Sequence, residues 1–293
     1  MRVHVLRNPA GGSNATRHAA ALAVGRLRGA GHDLVELTGS SRDDSVKNLG
    51  SAIAAGDVET LLVAGGDGLV NLAIQHLAQT TITLLIAPTG TGNDFASALG
   101  LASDSSLDRL LVQLPRPVDL LRIRSASGDT WVASIAIAGF PATINARANS
   151  LALPIGSSIY TLAALIEPPT FGRLQAKIRV GDTSLELDSA MLAIGNTSLF
   201  GGGMLACPDA IPDDGLLHLT SIEGVGRVGI LRHLQGRSGG TADRPEVLRR
   251  AGKHVEISTG GIAIWGDGEP IATTPATIDL VPAALQVHYY PFS

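Results

Sequence analysis

The chain has 293 residues, of which 45% are hydrophobic and 16% are charged, and its formal net charge is −4. This length provides one large domain or two ordinary ones with proper cores, and the apolar fraction argues against an intrinsically disordered chain. Because the chain is mildly acidic and has no basic stripe, the composition predicts no binding of nucleic acid.

Residues 1–123 alternate between short apolar runs and helical patterns. Their predicted strands cover 3–8, 33–38, 60–66 and 83–90, and their predicted helices cover 15–31, 45–56, 69–79 and 93–101. The strands are apolar on both sides, which is typical of a parallel sheet covered by helices on both faces. The first half therefore predicts a doubly wound, mostly parallel α/β domain.

From about residue 119 the pattern changes to shorter, often alternating runs separated by Gly, Asp and Pro. This pattern of short alternating runs predicts an antiparallel, β-sandwich-like domain. Two helical interruptions are expected near 145–166 and 225–236, and 240–250 reads as a loop. The predicted domains are 1–123 and 124–281, and residues 282–293 can return to complete the first domain.

No segment has the pattern of a targeting signal or of a membrane span. The first residues read as a strand, and the apolar stretches around 131–140 and 151–166 are interrupted before they reach ~20 residues. The sequence therefore predicts a cytoplasmic chain without a transmembrane segment.

Four glycine-containing or polar turns follow the predicted parallel strands: NPAGG (8–12), LTGS (37–40), GGDG (65–68) and PTGTG (88–92). Ligands of parallel α/β sheets bind beyond the carboxyl ends of the strands, and glycine lets the backbone approach a phosphate there. Neither GGDG nor PTGTG matches a P-loop or a dinucleotide fingerprint. Tight turns alone would also use glycine, and Asp67, Asn93 and Asp94 could instead cap the helices that follow them.

Two scarce residue types restrict the chemistry. The only lysines are Lys47, Lys177 and Lys253, so a phosphate site would depend on backbone amides, arginine and metal. The single cysteine, Cys207, excludes an intramolecular disulfide and a cysteine-only zinc site. The eight histidines lack the spacing of metal ligands.

Several motifs together resemble the diacylglycerol-kinase-like lipid kinases, which include bacterial diacylglycerol kinases and the sphingosine and ceramide kinases. The motifs are NPAGG, GGDG followed by Asn71, PTGTGNDFA, Gly195-Asn196, GGGMLACPDAIPDDGLL (201–217) and DGE (267–269). They occur in the family's order from residue 3 to about residue 288. NAD kinases share GGDG, but their downstream patterns are not visible here.

The resemblance implies a two-domain kinase with its active site in the cleft between the domains. ATP and Mg²⁺ are the implied cofactors, and the γ-phosphoryl group would pass to a lipid hydroxyl of a diacylglycerol-like or sphingoid acceptor. Matching positions assign the nucleotide site to Asn8, Gly11, Gly12, Thr38, Gly65, Gly66, Asp67, Gly68, Asn71, Thr91, Asn93 and Asp267.

The resemblance also implies the catalytic and metal residues. Glu269 would be the proton acceptor and Asp67 the organiser of phosphate or metal, although which of these two acids is the base stays open. Asp214 and the carbonyls of Ile211 and Leu216 would bind Mg²⁺, with a structural turn as the alternative for Asp214. The expected partners are ATP and a lipid at the inner membrane face, as in phospholipid biosynthesis, and a homodimer is allowed.

Two positions depart from the family pattern, because Leu69 and Leu72 stand where the family usually has Thr or Ser and Glu. Losing a hydrogen bond to a charged group costs about 1.5–3 kcal/mol, so nucleotide affinity should be weakened or re-tuned. The alternatives are a non-catalytic nucleotide- or lipid-binding relative with a regulatory role, and a kinase for a soluble alcohol.

The acids favour catalysis among these alternatives, since a non-catalytic cleft would have no physical need for so many of them. On this interpretation, Asp67→Ala should abolish transfer and leave the fold intact.

Overall fold

The computed structural model describes residues 1–7, 14–102, 105–139, 173–225 and 244–290. The chain divides into two compact units. The first contains Met1–Val118 and Ala283–Ser293, and the second contains Asp119–Pro282.

The first unit is an α/β domain with a parallel sheet. Its strands are β1 (Arg2–Arg7), β2 (Asp33–Glu36), β3 (Thr60–Gly65) and β4 (Thr83–Pro88), and its helices are α1 (Asn14–Gly29), α2 (Arg42–Ala54), α3 (Asp67–Leu77), α4 (Asp94–Ala98) and α5 (Leu107–Leu111). The strand order is β2-β1-β3-β4, and every neighbouring pair is parallel. This topology confirms the predicted doubly wound domain.

The helices cover both faces of this sheet. Helix α1 packs against β3 and α5, whereas α3 packs against α2, β3 and β4. The connections β1→β2 and β3→β4 move in opposite directions across the sheet, so right-handed crossovers place α1 and α3 on opposite faces. The carboxyl ends of β1 and β3 therefore form the topological switch point, where open α/β sheets bind ligands.

The helices of the first unit differ from the predicted bounds: α1 ends at Gly29 rather than at residue 31, and α2 covers Arg42–Ala54 rather than 45–56. Helix α3 begins at Asp67 rather than at residue 69, and α4 ends at Ala98 rather than at residue 101. Gly100 has a φ of 70°, which an L side chain rarely adopts, and this conformation helps to end the helical segment early. Helix α5 was not predicted, because five residues are too few to show a helical period.

The second unit is built from antiparallel strands, as predicted for a β-sandwich-like domain. Its strands are β5 (Arg116–Ser125), β6 (Gly128–Val132), β7 (Ile135–Gly139), β8 (Leu174–Val180), β9 (Thr183–Gly195), β10 (Leu199–Phe200), β11 (Met204–Leu205), β12 (Leu217–Glu223), β13 (Val247–Gly252), β14 (His254–Ile257), β15 (Ala263–Gly266), β16 (Glu269–Thr273) and β17 (Ala276–Val287). Strand β5 begins in the first unit, and β17 ends there.

Strand β9 organises this unit. Its first half pairs with β8, and its second half lies between β7 and β12. Alternate residues of the second half face two different cores: Leu192 and Ile194 pack into one apolar cluster, and Met191 and Ala193 pack into the other. The period-two pattern of a strand thus produces the two buried layers.

Three predictions for the second unit need correction or fall outside the description. The expected loop at 240–250 is wrong for its last part, since Val247–Gly252 form β13 on the edge of β12. The apolar stretch noted around 131–140 contains a break at Ala133 and Ser134, which separates β6 from β7. The helices expected near 145–166 and 225–236 lie outside the described residues, apart from Val225 at the start of the second.

Strand β17 contributes its end to the parallel sheet of the first unit. Gln286 and Val287 pair with the start of β4, and His288 follows, only 4% exposed. The His288 ring contacts the Leu110 carbonyl through Nδ1 and the Thr83 hydroxyl through Nε2, both at 3.2 Å.

No helix in the described ranges is long and apolar enough to cross a membrane.

Burial lowers the pKa of His288 and of His4, which is 2% exposed in β1. Folding therefore favours neutral imidazole, and the stability that depends on it is present above the ordinary pKa of 6.5 and is lost as pH falls below that value. Each of the two histidines can change the free energy of unfolding by at most about 1.4 kcal/mol per pH unit.

The midpoint of thermal unfolding should therefore fall between pH 8 and pH 5, and it should fall less steeply with pH in His288→Asn. His18→Asn makes the same substitution at an exposed position of α1 and is the matched control.

Candidate active site

The GGDG and PTGTG turns of the first unit pack directly against each other. A Cβ built on Gly90 would lie 2.4 Å from the Cα of Gly66, and a Cβ built on Gly66 would lie 3.0 Å from the Cα of Gly90. The Thr89 N–H also donates to the Gly65 carbonyl at 3.1 Å. Both glycines are therefore required by a backbone-to-backbone contact between the carboxyl ends of β3 and β4.

Asp67 joins the same two turns through its side chain. The Asp67 carboxylate accepts a hydrogen bond from the Phe95 N–H at 3.3 Å. The backbone N–H groups of Asn93 and Asp94 also interact with it by hydrogen bonding. Its N-cap interpretation is wrong, because Gly66 occupies the N-cap of α3 and Asp67 is the first helical residue. Asp67 instead binds the start of α4, 28 residues further along the chain.

Burial raises the pKa of Asp67, and this effect exceeds the lowering by the N–H groups around it. A buried carboxylate with a raised pKa is a frequent feature of functional sites, although structural networks produce it too. A divalent cation beside the carboxylate would favour the charged form and lower this pKa again.

Asn93 closes the second turn. Its Oδ1 accepts the Gly90 N–H at 3.0 Å, its Nδ2 donates to the Gly90 carbonyl at 2.8 Å, and its backbone has a φ of 56°. Thr91 projects from this turn and is exposed. The Asn93 amide thus holds the loop in shape, while Thr91 is the side chain of the turn that can meet a ligand.

The other predicted nucleotide residues of this unit lie at the same edge of the sheet or in α3. The Thr38 hydroxyl, which follows β2, accepts the Arg7 N–H at the end of β1 at 3.0 Å. Gly68 is the second residue of α3, where helix N–H groups have no partner within the helix. Asn71 is buried, and its carbonyl accepts the Gln75 amide. Asn8, Gly11 and Gly12 lie outside the described residues.

The two leucines that depart from the family pattern have different positions. Leu69 lies over Gly65, with its Cδ2 only 2.7 Å from where a Cβ on that glycine would be. Leu72 is 5% exposed and belongs to the core. The apolar side chain at position 69 therefore covers the first glycine of the turn, where the family's hydroxyl would present a polar atom.

In the second unit, Glu269 follows a tight hairpin turn. Gly266 pairs with Glu269 across the two-residue turn between β15 and β16, and Asp267 and Gly268 have φ values of 48° and 85°. Positive φ at both central residues is the type I′ geometry that an Asp-Gly pair favours. The turn fixes the half-buried Glu269 at the first position of β16.

Asp267 anchors that hairpin to the break between β6 and β7. Its Oδ2 accepts the Ala133 N–H at 2.8 Å, and its Oδ1 accepts the Ser134 N–H at 2.9 Å. Both carboxylate oxygens therefore hold backbone, which favours a positioning role over the predicted contact with nucleotide.

A second network joins this break to the 211–216 loop. Asn196 donates from Nδ2 to the carbonyls of Asp119 and Ala133, at 2.7 and 3.0 Å. Asp119 is 4% exposed, its N–H donates to the Pro212 carbonyl, and its Oδ2 accepts the Gly215 N–H, both at 2.8 Å. Asp119 was not predicted as a functional residue, because its only signal in the sequence is an acid inside an apolar strand run.

The predicted metal residues share that loop. The Asp214 carboxylate accepts the Leu216 N–H at 2.8 Å through Oδ1 and contacts His218 Nε2 at 3.1 Å through Oδ2. The Asp214 N–H is 3.4 Å from the Ile211 carbonyl. Each carboxylate oxygen has a second lone pair, so the loop can offer one carboxylate and two carbonyls to a hard cation. The described residues contain no group of three or more His, Cys, Asp or Glu arranged for a metal.

The contact between the two glycine turns yields a direct test. Gly90→Ala places a methyl group against the Gly66 backbone, so we expect the free energy of unfolding to fall by about 1–3 kcal/mol. We also expect the variant to lose nucleotide binding, because the two turns can no longer pack together. Chemical denaturation and calorimetric titration with ATP would measure both. Gly25→Ala, in an open position of α1, is the matched control and should stabilise by up to about 1 kcal/mol. Normal nucleotide affinity in Gly90→Ala would refute the role of this contact.

Comparisons with known proteins agree with this architecture. Residues 2–123 match the diacylglycerol kinase catalytic domain, and residues 134–289 match the YegS C-terminal NAD kinase beta sandwich-like domain. A solved structure of a diacylglycerol kinase from Bacillus anthracis superposes with a TM-score of 0.77 over 99% of this chain and 97% of that one. Its sequence identity is 22%, so it supports the fold alone.

Relatives at higher identity span nearly the whole chain. A protein named diacylglycerol kinase from Mycobacterium tuberculosis (strain H37Rv) is 36% identical over 98% of this chain and 94% of its own length. Another, named "Probable lipid kinase YegS-like", from Xanthomonas axonopodis pv. citri, is 31% identical over 91% of this chain and 90% of its own length. The chain therefore belongs to the diacylglycerol kinase family and is a lipid kinase.

Proposed function

We propose that this kinase transfers the γ-phosphoryl group of ATP to the hydroxyl of a membrane lipid, either diacylglycerol-like or sphingoid. The observation that carries the proposal is the contact between the GGDG and PTGTG turns at the ligand-binding edge of the parallel sheet. The start of α3 adds N–H groups and the positive end of a helix dipole, both suited to phosphate.

In this proposal the nucleotide is held mainly by backbone. Phosphoryl transfer requires alignment and charge stabilisation and little covalent chemistry by the protein. The chain has only three lysines, so N–H groups of the glycine turns and the metal that accompanies ATP would neutralise the phosphates. Leu69 offers no hydroxyl, which fits a nucleotide affinity that depends on the turns themselves.

The two catalytic acids take different roles. Asp67 binds the 93–95 backbone and so keeps the two turns together, which suits an organiser of phosphate or of the nucleotide's metal. Glu269 is held at the start of β16 by the Asp-Gly turn, and we assign it as the base that takes the proton of the acceptor hydroxyl. General-base catalysis of this kind contributes about 10²–10⁴-fold.

Mg²⁺ has two roles in the proposal. One ion would accompany ATP and neutralise charge that develops on the transferred group. A second would be held by Asp214 and the carbonyls of Ile211 and Leu216, with water completing its coordination. Asp119 is hydrogen-bonded to Pro212 and to Gly215 of this loop, so the loop is part of the folded framework. The second ion would therefore stabilise the fold and would not take part in the reaction.

The lipid acceptor implies work at a membrane surface, and we place the protein in the cytoplasm at the inner face, in phospholipid metabolism. A homodimer stays allowed and is not part of this proposal. One observation favours a second candidate function, a non-catalytic nucleotide-binding relative: Leu69 covers Gly65 at a position where kinases of this family present a hydroxyl.

Transfer assays separate these functions. Purified protein with labelled ATP·Mg²⁺ and a panel of diacylglycerol, sphingoid bases and soluble alcohols should place label on a lipid. Glu269→Gln should lower that transfer by about 10²–10⁴-fold, because the base is lost, and should leave ATP affinity unchanged.

Glu186→Gln, at an exposed ion pair with Lys177, is the control and should behave as the unmodified protein does. Label on soluble alcohols alone would contradict the lipid acceptor. ATP binding without transfer would support the non-catalytic candidate, and normal transfer by Glu269→Gln would refute the assigned base.

The metal assignment has a test that needs no catalysis. A bound ion at 100 times its Kd stabilises the folded state by about 2.7 kcal/mol, so MgCl₂ should raise the thermal midpoint. Asp214→Asn should abolish this response, whereas Asp213→Asn, in the same loop, should keep it. An equal response in Asp214→Asn would exclude Asp214 as a ligand.

A further inference from the structure

Two apolar side chains of the first unit stand out by their exposure. Val112 is 85% exposed and Leu114 is 87% exposed, whereas the other exposed large apolar side chains of the described ranges, such as Met1 at 54%, are close to half exposed. Val112, Gln113 and Leu114 follow α5 directly in the connection to β5, and we call these three residues the apolar tip.

The tip is held in place and is no frayed end. Leu110 and Leu111 behind it are buried, and the Gln113 N–H donates to the Leu110 carbonyl at 3.1 Å. The same carbonyl contacts the buried His288 ring. Pro115 follows Leu114 directly and Pro117 comes two residues later, and both restrict the backbone on the other side of the tip. A rigid support therefore keeps the two side chains in solvent.

The tip lies at the opposite end of the parallel sheet from the glycine turns. His288 joins Leu110 to Thr83, the first residue of β4, whereas PTGTG begins at the last residue of that strand. Six strand residues span roughly 20 Å. Whatever the tip binds is therefore separate from the nucleotide site.

Two exposed arginines flank the tip. Arg109 lies three residues before Val112 on the last turn of α5, so the two share a face. Arg116 follows two residues after Leu114, with its guanidinium 5.7 Å from the Tyr289 ring centre. The acid of this segment, Asp108, faces His32 at 3.9 Å. A chain of net charge −4 thus presents apolar groups between positive charges at this place.

The size of the tip argues against a protein partner. A stable contact between two copies of a chain buries about 800 Å² on each, far more than two side chains supply. Apolar side chains flanked by arginine are instead suited to the boundary of a bilayer with anionic lipids, where both components contribute to binding.

We propose that the apolar tip inserts into the headgroup region of an anionic lipid bilayer and tethers the kinase there, with Arg109 and Arg116 contacting the lipid phosphates. The purpose of the tether rests on the proposed lipid acceptor, but the binding itself does not. Because the tip is remote from the glycine turns, the tether raises the local supply of acceptor and takes no part in transfer.

Vesicle flotation tests the contact. The unmodified protein should bind vesicles of 70% phosphatidylcholine and 30% phosphatidylglycerol more tightly than vesicles of phosphatidylcholine alone. Val112→Ser with Leu114→Ser should weaken binding at least about tenfold. Arg109→Gln and Arg116→Gln should each weaken binding to the anionic vesicles by about fivefold. Leu22→Ser, at an exposed apolar residue of α1, is the control and should bind normally.

A fluorescent probe reports insertion directly. Cys207 is buried and burial raises the pKa of its thiol to about 12, so an NBD label will attach to Leu114→Cys selectively. Its emission should shift to the blue with anionic vesicles. An unshifted emission, or normal vesicle binding by the double serine variant, would overturn the proposal. A lower sedimenting mass in the double variant with unchanged vesicle binding would overturn it in favour of contact between copies.

The kinase assay keeps the two proposals apart. With a short-chain diacylglycerol that is monomeric in solution, the double serine variant should match the unmodified protein in turnover. With long-chain acceptor in vesicles, its KM should rise about tenfold, in line with the lost vesicle binding. If the unmodified protein transfers phosphate to no lipid while the probe still inserts into vesicles, the proposed lipid acceptor is wrong and the proposed bilayer contact of the apolar tip is supported.

Discussion

The contact between Gly66 and Gly90 is the constraint on which the candidate site depends. Two backbone segments that follow neighbouring strands approach so closely that a Cβ at position 90 would lie 2.4 Å from the opposing Cα. The Asp67 carboxylate bonds across the same junction to the start of α4. The ends of β3 and β4 are therefore one packed structure, and a change in either turn must move the other.

Three acids of the second unit bind backbone N–H groups, and this changes what their presence indicates. Asp267 accepts the N–H groups of Ala133 and Ser134, Asp214 accepts that of Leu216, and Asp119 accepts that of Gly215. A buried N–H needs an acceptor, so each of these acids has a structural reason to be present. Their number alone no longer argues for catalysis. Glu269 is instead distinguished by the turn that fixes its position.

This view also changes the expectation for Asp67. Truncation to alanine would remove the acceptor of the Phe95 N–H, so the fold around the two turns should be weakened as well as transfer. Asn at this position keeps an acceptor oxygen while removing the charge. It therefore separates the structural contribution of Asp67 from its electrostatic one, which alanine cannot do.

The sequence predicted the architecture because local patterns encode it. Runs such as Leu61–Ala64, apolar on both sides, indicate a buried parallel strand, and alternation in the second half indicates antiparallel sheet. Strand β13 was missed because Arg249 and Arg250 make an edge strand look like a loop. The Asp-Gly pair at 267–268 carried a hairpin signal that predicts the turn itself.

The partners of the side chains could not be predicted in the same way. Asp67 bonds to a residue 28 positions away, and Asp267 bonds to residues more than 130 positions away. Such pairs depend on tertiary packing, and a single sequence contains no periodic signal for them. Motifs therefore identified the residues, while only the fold shows that several of them position backbone.

Backbone resonances of the two turns test the central claim most directly. In a ¹⁵N-labelled sample titrated with a non-hydrolysable ATP analogue and Mg²⁺, the amide signals of Gly66, Gly68 and Gly90 should shift together and saturate at one nucleotide concentration, because one ligand meets both turns. Shifts confined to other parts of the chain, with these three signals unmoved, would contradict the account.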